Sequence, residues 1–311
     1  MRCQKVELLV NNVSLIKLII DVSSNNLQIA TTLQYRPPKN EPPMYVIPAD
    51  KRANAQKIAK NLVKARETWT GLAEFPGELP TSLDEAYAIQ SLSIEAWKKP
   101  LAGWKIGGIG DSHSHLGSKK LAGPIYQDNL VFDSGKRNIM LGIENGFAAI
   151  EGELVIKTAV DLKPGQYKTM PPQDLIASVH IGVEIAGSSI LRANPIGPMC
   201  VIPDSGCNAG QIVGREIKDW RDRDFSKVYE SVTIDGKQVG RKAIGPFIDG
   251  PMTSFAFLIK NVSDRGYDLP AGSYITTGAI SGVHNTHIGT VSKVEFEGIG
   301  SIEIEIVSGA K

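Results

Sequence analysis

The sequence has no long hydrophobic run. No apolar stretch among its 311 residues approaches the roughly 20 residues that a membrane-spanning helix needs. The segment 13–22 is apolar, but it is short and Lys17 interrupts it. No small-residue cleavage pattern follows, so the segment does not predict a signal peptide. These absences predict a protein that does not bind membranes.

The sequence also lacks an excess of charge of either sign. The formal net charge is +1, and the lysines and arginines are scattered, so no global field would recruit nucleic acid or an anionic surface. Cysteine is scarce as well. Cys3, Cys200 and Cys207 are an odd number without the spacing of a metal site, which argues against a disulfide framework. The cysteine content therefore predicts a reducing, cytoplasmic location.

What the sequence does contain is enough apolar material for a full core, with 42% hydrophobic residues. Residues 1–45 differ from the rest and predict an N-terminal extension and linker, to which no chemistry is assigned. In the main segment, 46–311, amphipathic patterns predict helices over 50–66 and 82–97. Strand patterns dominate the later half, which favours an α+β fold over a doubly wound sheet.

Two glutamates share one face of an apolar strand in the middle of the chain. In the segment 149–156, Glu151 and Glu153 are separated by a single glycine, and alternate residues of a strand point to the same side. Burying two carboxylates side by side is unfavourable unless a divalent cation neutralises them. The alternative is a solvent-facing strand edge, which is how we interpret Glu303 and Glu305, a second pair with the same spacing. Spacing alone cannot decide between the two.

Other polar residues stand in apolar or glycine-rich surroundings. Lys105 lies in an apolar strand between Gly103 and Gly107, so it is either a pocket cation or a lysine reaching the surface. Glu184 is an acid in an apolar run and could complete an oxygen-rich cation site. Asp128, taken alone, is a turn former.

Two later segments carry small polar residues. The run 203–210 contains Asp204, Cys207 and Asn208 among serine and glycine, a composition suited either to contacting a small polar ligand or to a plain surface loop. Thr277 ends a strand pattern that opens into a glycine loop.

Taken together, these segments resemble the fumarylacetoacetate hydrolase superfamily, and within it the 2-keto-4-pentenoate hydratase and oxalocrotonate decarboxylase branch. The resemblance runs from about Asp50 to Val307. The motifs that carry it are, in chain order, Gly103-Trp104-Lys105-Ile106-Gly107, Tyr126-Gln127-Asp128, Ile150-Glu151-Gly152-Glu153-Leu154, Val183-Glu184-Ile185-Ala186-Gly187-Ser188, Pro203-Asp204-Ser205-Gly206-Cys207-Asn208-Ala209-Gly210 and Thr276-Thr277-Gly278.

The resemblance implies a mixed β-roll with flanking helices, like the C-terminal domain of fumarylacetoacetate hydrolase, and makes 46–311 a hydratase-like catalytic domain. It implies Mg²⁺ or Mn²⁺ as the cofactor. The residues that it assigns to the site are the metal ligands Glu151, Glu153 and Glu184, the catalytic residues Lys105 and Asp128, and the substrate-binding residues Asp204, Cys207, Asn208 and Thr277.

The function implied is that of a metal-dependent hydratase, which adds water to a 2-keto-4-pentenoate-type (2-hydroxydienoate) substrate in the catabolism of aromatic-derived α-keto acids. Alternatives in the same fold are a decarboxylase of a 2-oxo-3-enedioate and a carbon–carbon hydrolase of an acylpyruvate. Ser189 stands where relatives often carry a basic residue, which favours a substrate with one carboxylate.

The resemblance also bears on partners. It implies a homo-oligomer and leaves open an association with a decarboxylase or hydratase partner, in which this chain could be the non-catalytic subunit. A structural β-rich protein without a metal is the remaining alternative.

Overall fold

A computed structural model describes residues 47–310 and, before them, the backbone of three strands: β1 (Gln4–Val10), β2 (Ser14–Ser23) and β3 (Asn26–Tyr35). These three form an antiparallel sheet in the order β1-β2-β3. The chain separates into two compact units, Met1–Pro43 and Met44–Lys311. Cys3 and the linker predicted between this sheet and the main segment lie outside the described residues.

The main unit begins with two helices at the positions that the periodicity predicted. These are α1 (Arg52–Glu67) and α2 (Leu83–Trp97), and the shorter helices α3 (Ala193–Ile196) and α4 (Pro198–Val201) and the longer α5 (Pro251–Asp264) follow later. Ser82 caps α2, because its hydroxyl accepts a hydrogen bond from the backbone N–H of Glu85. Among the helices of the described residues, none is both long and apolar enough to cross a membrane.

Strands make up most of the main unit. In chain order they are β4 (Leu101–Gly108), β5 (Lys120–Tyr126), β6 (Leu130–Phe132), β7 (Asn138–Gly142), β8 (Phe147–Thr158), β9 (Ile176–Ser188), β10 (Asn208–Glu216), β11 (Tyr229–Ile234), β12 (Lys237–Ala243), β13 (Tyr274–Thr276), β14 (His284–Asn285), β15 (Val291–Phe296) and β16 (Gly300–Ser308).

Within the described residues, these strands form two sheets. The larger has the order β5-β4-β13-β8-β9-β10-β6, with β14 paired to β8, and the smaller has the order β12-β11-β15-β16-β7. The pairs β4–β13, β6–β10 and β7–β16 are parallel and the other pairs are antiparallel. The architecture is therefore the mixed α+β arrangement that the sequence predicted, and it is not doubly wound.

The two sheets face each other through the strand that carries the paired glutamates. A Cβ atom on Gly152 of β8 would lie 2.8 Å from a methyl group of Val294 on β15, so β8 lies directly against the smaller sheet. Leu154, Val232 and Val294 are fully buried in the shared core. Because side chains alternate along a strand, Glu151 and Glu153 point to the opposite face from Gly152, away from that core.

Candidate metal centre

Three glutamates predicted as metal ligands meet on two neighbouring strands. β8 and β9 run antiparallel, and Glu151 lies directly opposite Glu184. Glu153 lies two residues further along β8 and shares the face. One carboxylate oxygen from each of the three lies within 4.8 Å of the others. Their exposures are 5%, 0% and 0% for Glu151, Glu153 and Glu184, so the three acids occupy one buried site.

Two carboxylate oxygens of this cluster have no protein partner among the described residues. Glu153 accepts a hydrogen bond from the backbone N–H of Gly278 at 2.8 Å, and its second oxygen has no partner. Glu184 accepts one from the side-chain amide of Asn208 at 3.0 Å, and its second oxygen is likewise without a partner. Buried acceptors are normally satisfied, and a small oxygen-seeking cation such as Mg²⁺ or Mn²⁺ is the ligand that such a cluster fits.

The pKa values of the glutamates also fit a site for a divalent cation. Burial raises the pKa of Glu151 to about 7, against the attraction of Lys105 and with the added repulsion of Glu184. Burial, together with repulsion from Glu184 and Glu151, also raises the pKa of Glu153. Without a cation the cluster therefore tends to hold protons at neutral pH. A divalent cation would take their place.

Lys105 is the one basic side chain in contact with the glutamates among the described residues. It is 4% exposed, and its Nζ lies 3.3 Å from Glu184 Oε1. Burial acts to lower the pKa of Lys105, but the three carboxylates outweigh it and the pKa is raised. Gly107 and Gly206 leave room for this side chain, because a Cβ atom on either would lie 3.2–3.3 Å from the lysine. Lys105 is thus a charged pocket residue and not a lysine that reaches the surface.

The loop after β9 is anchored by a buried ion pair. Arg66 at the end of α1 pairs with Asp204, and it also donates to the carbonyl oxygens of Asn208 at 2.6 Å and Gly187 at 2.9 Å. Asp204 accepts further hydrogen bonds from Ser188 and from the backbone N–H of Ser189. It is 1% exposed and does not line the cavity. The Asp204 carboxylate therefore holds the loop in place, and its predicted contact with substrate stays a prediction.

Three other residues predicted to bind substrate lie close to the glutamates. Cys207 lines the cavity with a positive φ of 60°, and burial raises the pKa of its thiol to about 12, so the thiol is uncharged. Asn208 reaches Glu184, as described, and its amide oxygen has no partner among the described residues. Thr277 lines the cavity and donates to the carbonyl oxygen of Leu154 at 3.0 Å.

Asp128, by contrast, is not brought to the glutamates. Lys105 lies opposite Gly123, whereas Asp128 follows the far end of β5 beyond Tyr126. The three strand residues from Gly123 to Tyr126 alone span about 10 Å. The Asp128 side chain is 47% exposed and pairs with Lys99. The proton-transfer role predicted for Asp128 therefore has no support in the geometry.

A cavity of about 670 Å³ leads from the surface to the glutamates. Lys105, Glu151, Cys207 and Thr277 line its inner part. Lys120, Lys242 and Ser254, which the sequence did not single out, also line the cavity. The size suits a small organic acid.

Sequence reasoning missed Arg66 as well as Lys120, Lys242 and Ser254. A signal for Arg66 was present, because it continues the apolar row of Ile58 and Leu62 at four-residue spacing and so points into the core. For Lys120 and Lys242 there was none, since each lies in an ordinary polar strand end.

Comparison with known proteins gives a short sequence match and a longer structural one. No family model matches the chain. A curated protein, the 4-oxalocrotonate decarboxylase of Pseudomonas putida, is 26% identical over 107 residues, which cover 34% of this chain and 40% of that protein. The matched segment is therefore less than half of that relative's length.

Two solved structures of the 4-oxalocrotonate decarboxylase from Pseudomonas putida G7 share the fold. The complex with magnesium and adipate has a TM-score of 0.65 and 21% sequence identity, and it covers 82% of this chain and 98% of that chain. The complex with calcium and acetate has a TM-score of 0.64 and 20% identity, with 84% and 99% covered. This likeness confirms the fold expected from the resemblance to the fumarylacetoacetate hydrolase superfamily.

Proposed function

We propose that this chain, which has the fold of the 4-oxalocrotonate decarboxylase, is a divalent-metal-dependent enzyme that acts on an α-keto acid. One observation carries the proposal: three buried carboxylates with two unpartnered oxygens lie beside one buried lysine at the inner end of a cavity. A structural role alone would not account for this cluster, because burying like charges without a partner is strongly unfavourable.

Glu151, Glu153 and Glu184 would hold the cation. Hard carboxylate oxygens suit Mg²⁺ and Mn²⁺, and the decarboxylase structure complexed with magnesium supports Mg²⁺ as the first ion to test. When bound, such an ion supplies Lewis acidity that polarises a keto oxygen. An α-keto acid is the matching substrate, because its carboxylate and keto oxygens are adjacent and can face one centre together.

The residues of the chain itself would bind and orient this substrate. Lys105 keeps its proton because the glutamates raise its pKa, so it would donate a hydrogen bond to the substrate anion rather than act as a base. The unpartnered amide oxygen of Asn208 would accept a hydrogen bond from a water molecule or a substrate hydroxyl. The uncharged Cys207 and Thr277 would form part of the cavity wall.

Hydration of a 2-hydroxydienoate remains our first candidate reaction, as the sequence predicted. Decarboxylation of a 2-oxo-3-enedioate is the second, supported by the 107-residue match to a 4-oxalocrotonate decarboxylase. Both reactions begin by drawing electrons toward the keto oxygen, so the same inner site serves either. A cytoplasmic location, a homo-oligomeric state and an association with a hydratase or decarboxylase partner stay predictions from the sequence.

The test is the substitution Glu153→Gln in the full chain. It removes one carboxylate charge from the cluster while keeping the size of the side chain. We expect Mg²⁺ affinity, measured by titration calorimetry on metal-stripped protein, to fall by about 100-fold or more, since weakening even the partners of metal ligands costs about 10- to 100-fold. Turnover should fall with it, followed as loss of the ultraviolet absorbance of 2-hydroxypenta-2,4-dienoate and as release of CO₂ from 2-oxohex-3-enedioate.

The second glutamate pair supplies the matched control. Glu303 has the same Glu-x-Glu spacing on β16, but its side chain is 51% exposed beside Arg137. Glu303→Gln should leave both Mg²⁺ affinity and turnover at the wild-type level. If Glu153→Gln binds Mg²⁺ as tightly as the wild type does, the metal assignment is wrong. Metal binding by the wild-type chain without turnover of either substrate would favour the non-catalytic subunit.

A further inference from the structure

A buried glutamine ends a row of polar side chains that starts at the metal centre. Gln211 of β10 lies directly opposite Glu184 of β9, and Glu184 lies directly opposite Glu151 of β8. Residues that pair in this way point to the same face of the sheet, with Cβ atoms about 5 Å apart. Gln211 is 0% exposed and does not line the cavity, whereas Glu151 does. The Gln211 amide therefore lies on the closed side of the glutamate cluster, away from the cavity.

A glycine on the strand between them gives this amide its space. Gly182 of β9 lies opposite Glu153, and a Cβ atom on it would lie 2.9 Å from Gln211 Nε2, so the amide extends over β9 next to Glu153. The Nε2 atom donates to the carbonyl oxygen of Ile212 at 2.9 Å, whereas Oε1 has no partner among the described residues. Exchanging the two amide atoms would set oxygen against oxygen at Ile212, so the unpartnered atom is the oxygen.

The buried atoms that lack a partner on this face are all of one kind. Of ten such side-chain atoms among the described residues, four are on this face, and they belong to Glu153, Glu184, Asn208 and Gln211. All four are oxygen atoms, which act as acceptors when the carboxyl groups are ionised. An anion would leave them unsatisfied. A hydrated cation satisfies them, because Mg²⁺ binds carboxylate oxygens directly and usually keeps several water molecules that can donate to the amides.

We infer that Gln211 is a positioning residue of the metal centre, whose amide oxygen accepts a hydrogen bond from a water molecule that the bound cation keeps on its closed side. The inference rests on the proposed function and deepens it, because Gln211 acts through this water molecule and touches no substrate. Since the closed side faces away from the cavity, an incoming substrate displaces other water molecules and leaves this one. The amide oxygen gains its missing partner only when the cation is bound, so Gln211 supports metal affinity and not the stability of the metal-free fold.

The test is the substitution Gln211→Met in the full chain, which keeps the length of the side chain and removes its polar atoms. We expect Mg²⁺ affinity, measured by titration calorimetry on metal-stripped protein, to fall by about 10- to 100-fold, the usual effect of losing a partner of the metal's own ligands. The melting temperature of the metal-free variant should equal or exceed that of the metal-free wild type, because an amide oxygen buried without a partner is removed. Gln211→Glu keeps an acceptor oxygen and should bind Mg²⁺ more tightly than Gln211→Met does.

Gln90→Met is the matched control. Gln90 is also a glutamine with 0% exposure and an unpartnered oxygen, but it lies on α2, and its Nε2 donates to the carbonyl oxygens of Ala122 at 3.0 Å and Ile202 at 2.7 Å. Because this substitution removes two hydrogen bonds of the metal-free fold, it should lower the melting temperature and leave Mg²⁺ affinity unchanged.

Three results would overturn the role of Gln211 and leave the proposed function standing. The first is undiminished Mg²⁺ affinity in Gln211→Met, and the second is a fall in its metal-free melting temperature as large as that of Gln90→Met. The third is a Gln211→Glu variant that binds Mg²⁺ no more tightly than Gln211→Met. Failure of the wild type to bind Mg²⁺ would overturn the proposed function and the role of Gln211 together.

Discussion

A buried glutamate behind the paired-glutamate strand should make the fold lose stability as pH rises. Glu230 on β11 is fully buried, and its carboxylate fills the space that a side chain at Gly152 would need, since a Cβ atom there would lie 2.1 Å from Glu230 Oε1. Neither oxygen has a well-aligned hydrogen bond within the described part of the chain. Burial raises the pKa of Glu230 to about 7, and Ser281 beside it only partly offsets the rise.

The size and sign of the effect follow from proton linkage. The ordinary pKa is 4.5 and the folded value about 7. Between these values the folded chain keeps a proton that the unfolded chain has released, so the free energy of unfolding falls as pH rises. At about 1.4 kcal/mol for each pKa unit, the loss is about 3 kcal/mol once the pH exceeds 7, and it vanishes below pH 4.5.

Glu230→Gln isolates this loss, because glutamine does not titrate. Urea unfolding of the wild type and the variant, both in EDTA, gives the free energy of unfolding at about pH 5 and about pH 8.5. From the lower to the higher pH, we expect the free energy of unfolding of the variant to rise by about 2–3 kcal/mol relative to that of the wild type. This difference does not depend on how the amide changes stability at either pH alone.

Glu295→Gln on the neighbouring strand β15 is the control for removing a glutamate from this sheet. Its side chain is 50% exposed beside Lys293, so removing this surface ion pair should change stability little at either pH. Parallel pH profiles for the wild type and Glu230→Gln would refute the reasoning. They would mean that the Glu230 carboxylate is solvated or paired when charged.

Two further substitutions test the packing around the site. Arg66→Met leaves the Asp204 carboxylate buried without its partner, so the free energy of unfolding measured in urea should fall by about 3–5 kcal/mol. Adding Asp204→Asn should recover part of that loss. Strictly additive effects of the two substitutions would contradict the pairing. Gly103→Ala would place a Cβ atom 1.7 Å from the backbone oxygen of Tyr274 on β13 and should lower the melting temperature sharply. The control is Gly108→Ala on the same strand, whose Cβ atom would meet nothing within 4 Å and should change the melting temperature little. Equal melting temperatures would show that β4 and β13 are not packed this closely.

The sequence predicted the features that depend on local patterns. The helices over 50–66 and 82–97 followed from apolar periodicity, and both are present. The face shared by Glu151 and Glu153 followed from strand alternation alone. The hairpin of β11 and β12 is likewise local, because its Asp235-Gly236 turn has positive φ at both residues, as such hairpin turns require.

The identical spacing of Glu303 and Glu305 shows where local patterns stop being informative. Glu303 is exposed on the outer face of its sheet, whereas Glu151 and Glu153 are buried, and the difference lies in what covers each face. Only the pairing of β8 with β9 brings Glu184 opposite Glu151. The prediction that Glu184 joins Glu151 and Glu153 came from the family resemblance, not from any spacing along the chain.

Long-range packing decides where Asp128 and Asp204 lie and which side chains they contact. Asp128 sits in a matching motif, yet the direction of β5 carries it past the end of the sheet to an exposed position beside Lys99. Asp204 lies in a polar loop whose composition is typical of ligand contacts, but Arg66 from the first helix occupies its carboxylate. Neither partner can be deduced from residues near it in the chain.

The Arg66–Asp204 pair also sets the order in which the domain can be completed during translation. Its two residues are 138 positions apart, so at about 5–20 residues per second the ribosome adds the carboxylate roughly 7–30 s after the guanidinium. Until then Arg66 also lacks the carbonyl oxygen of Asn208, and docking α1 would bury an unpaired cation. The cavity is therefore a late product of synthesis, although one of its anchors is among the first residues of the domain to emerge.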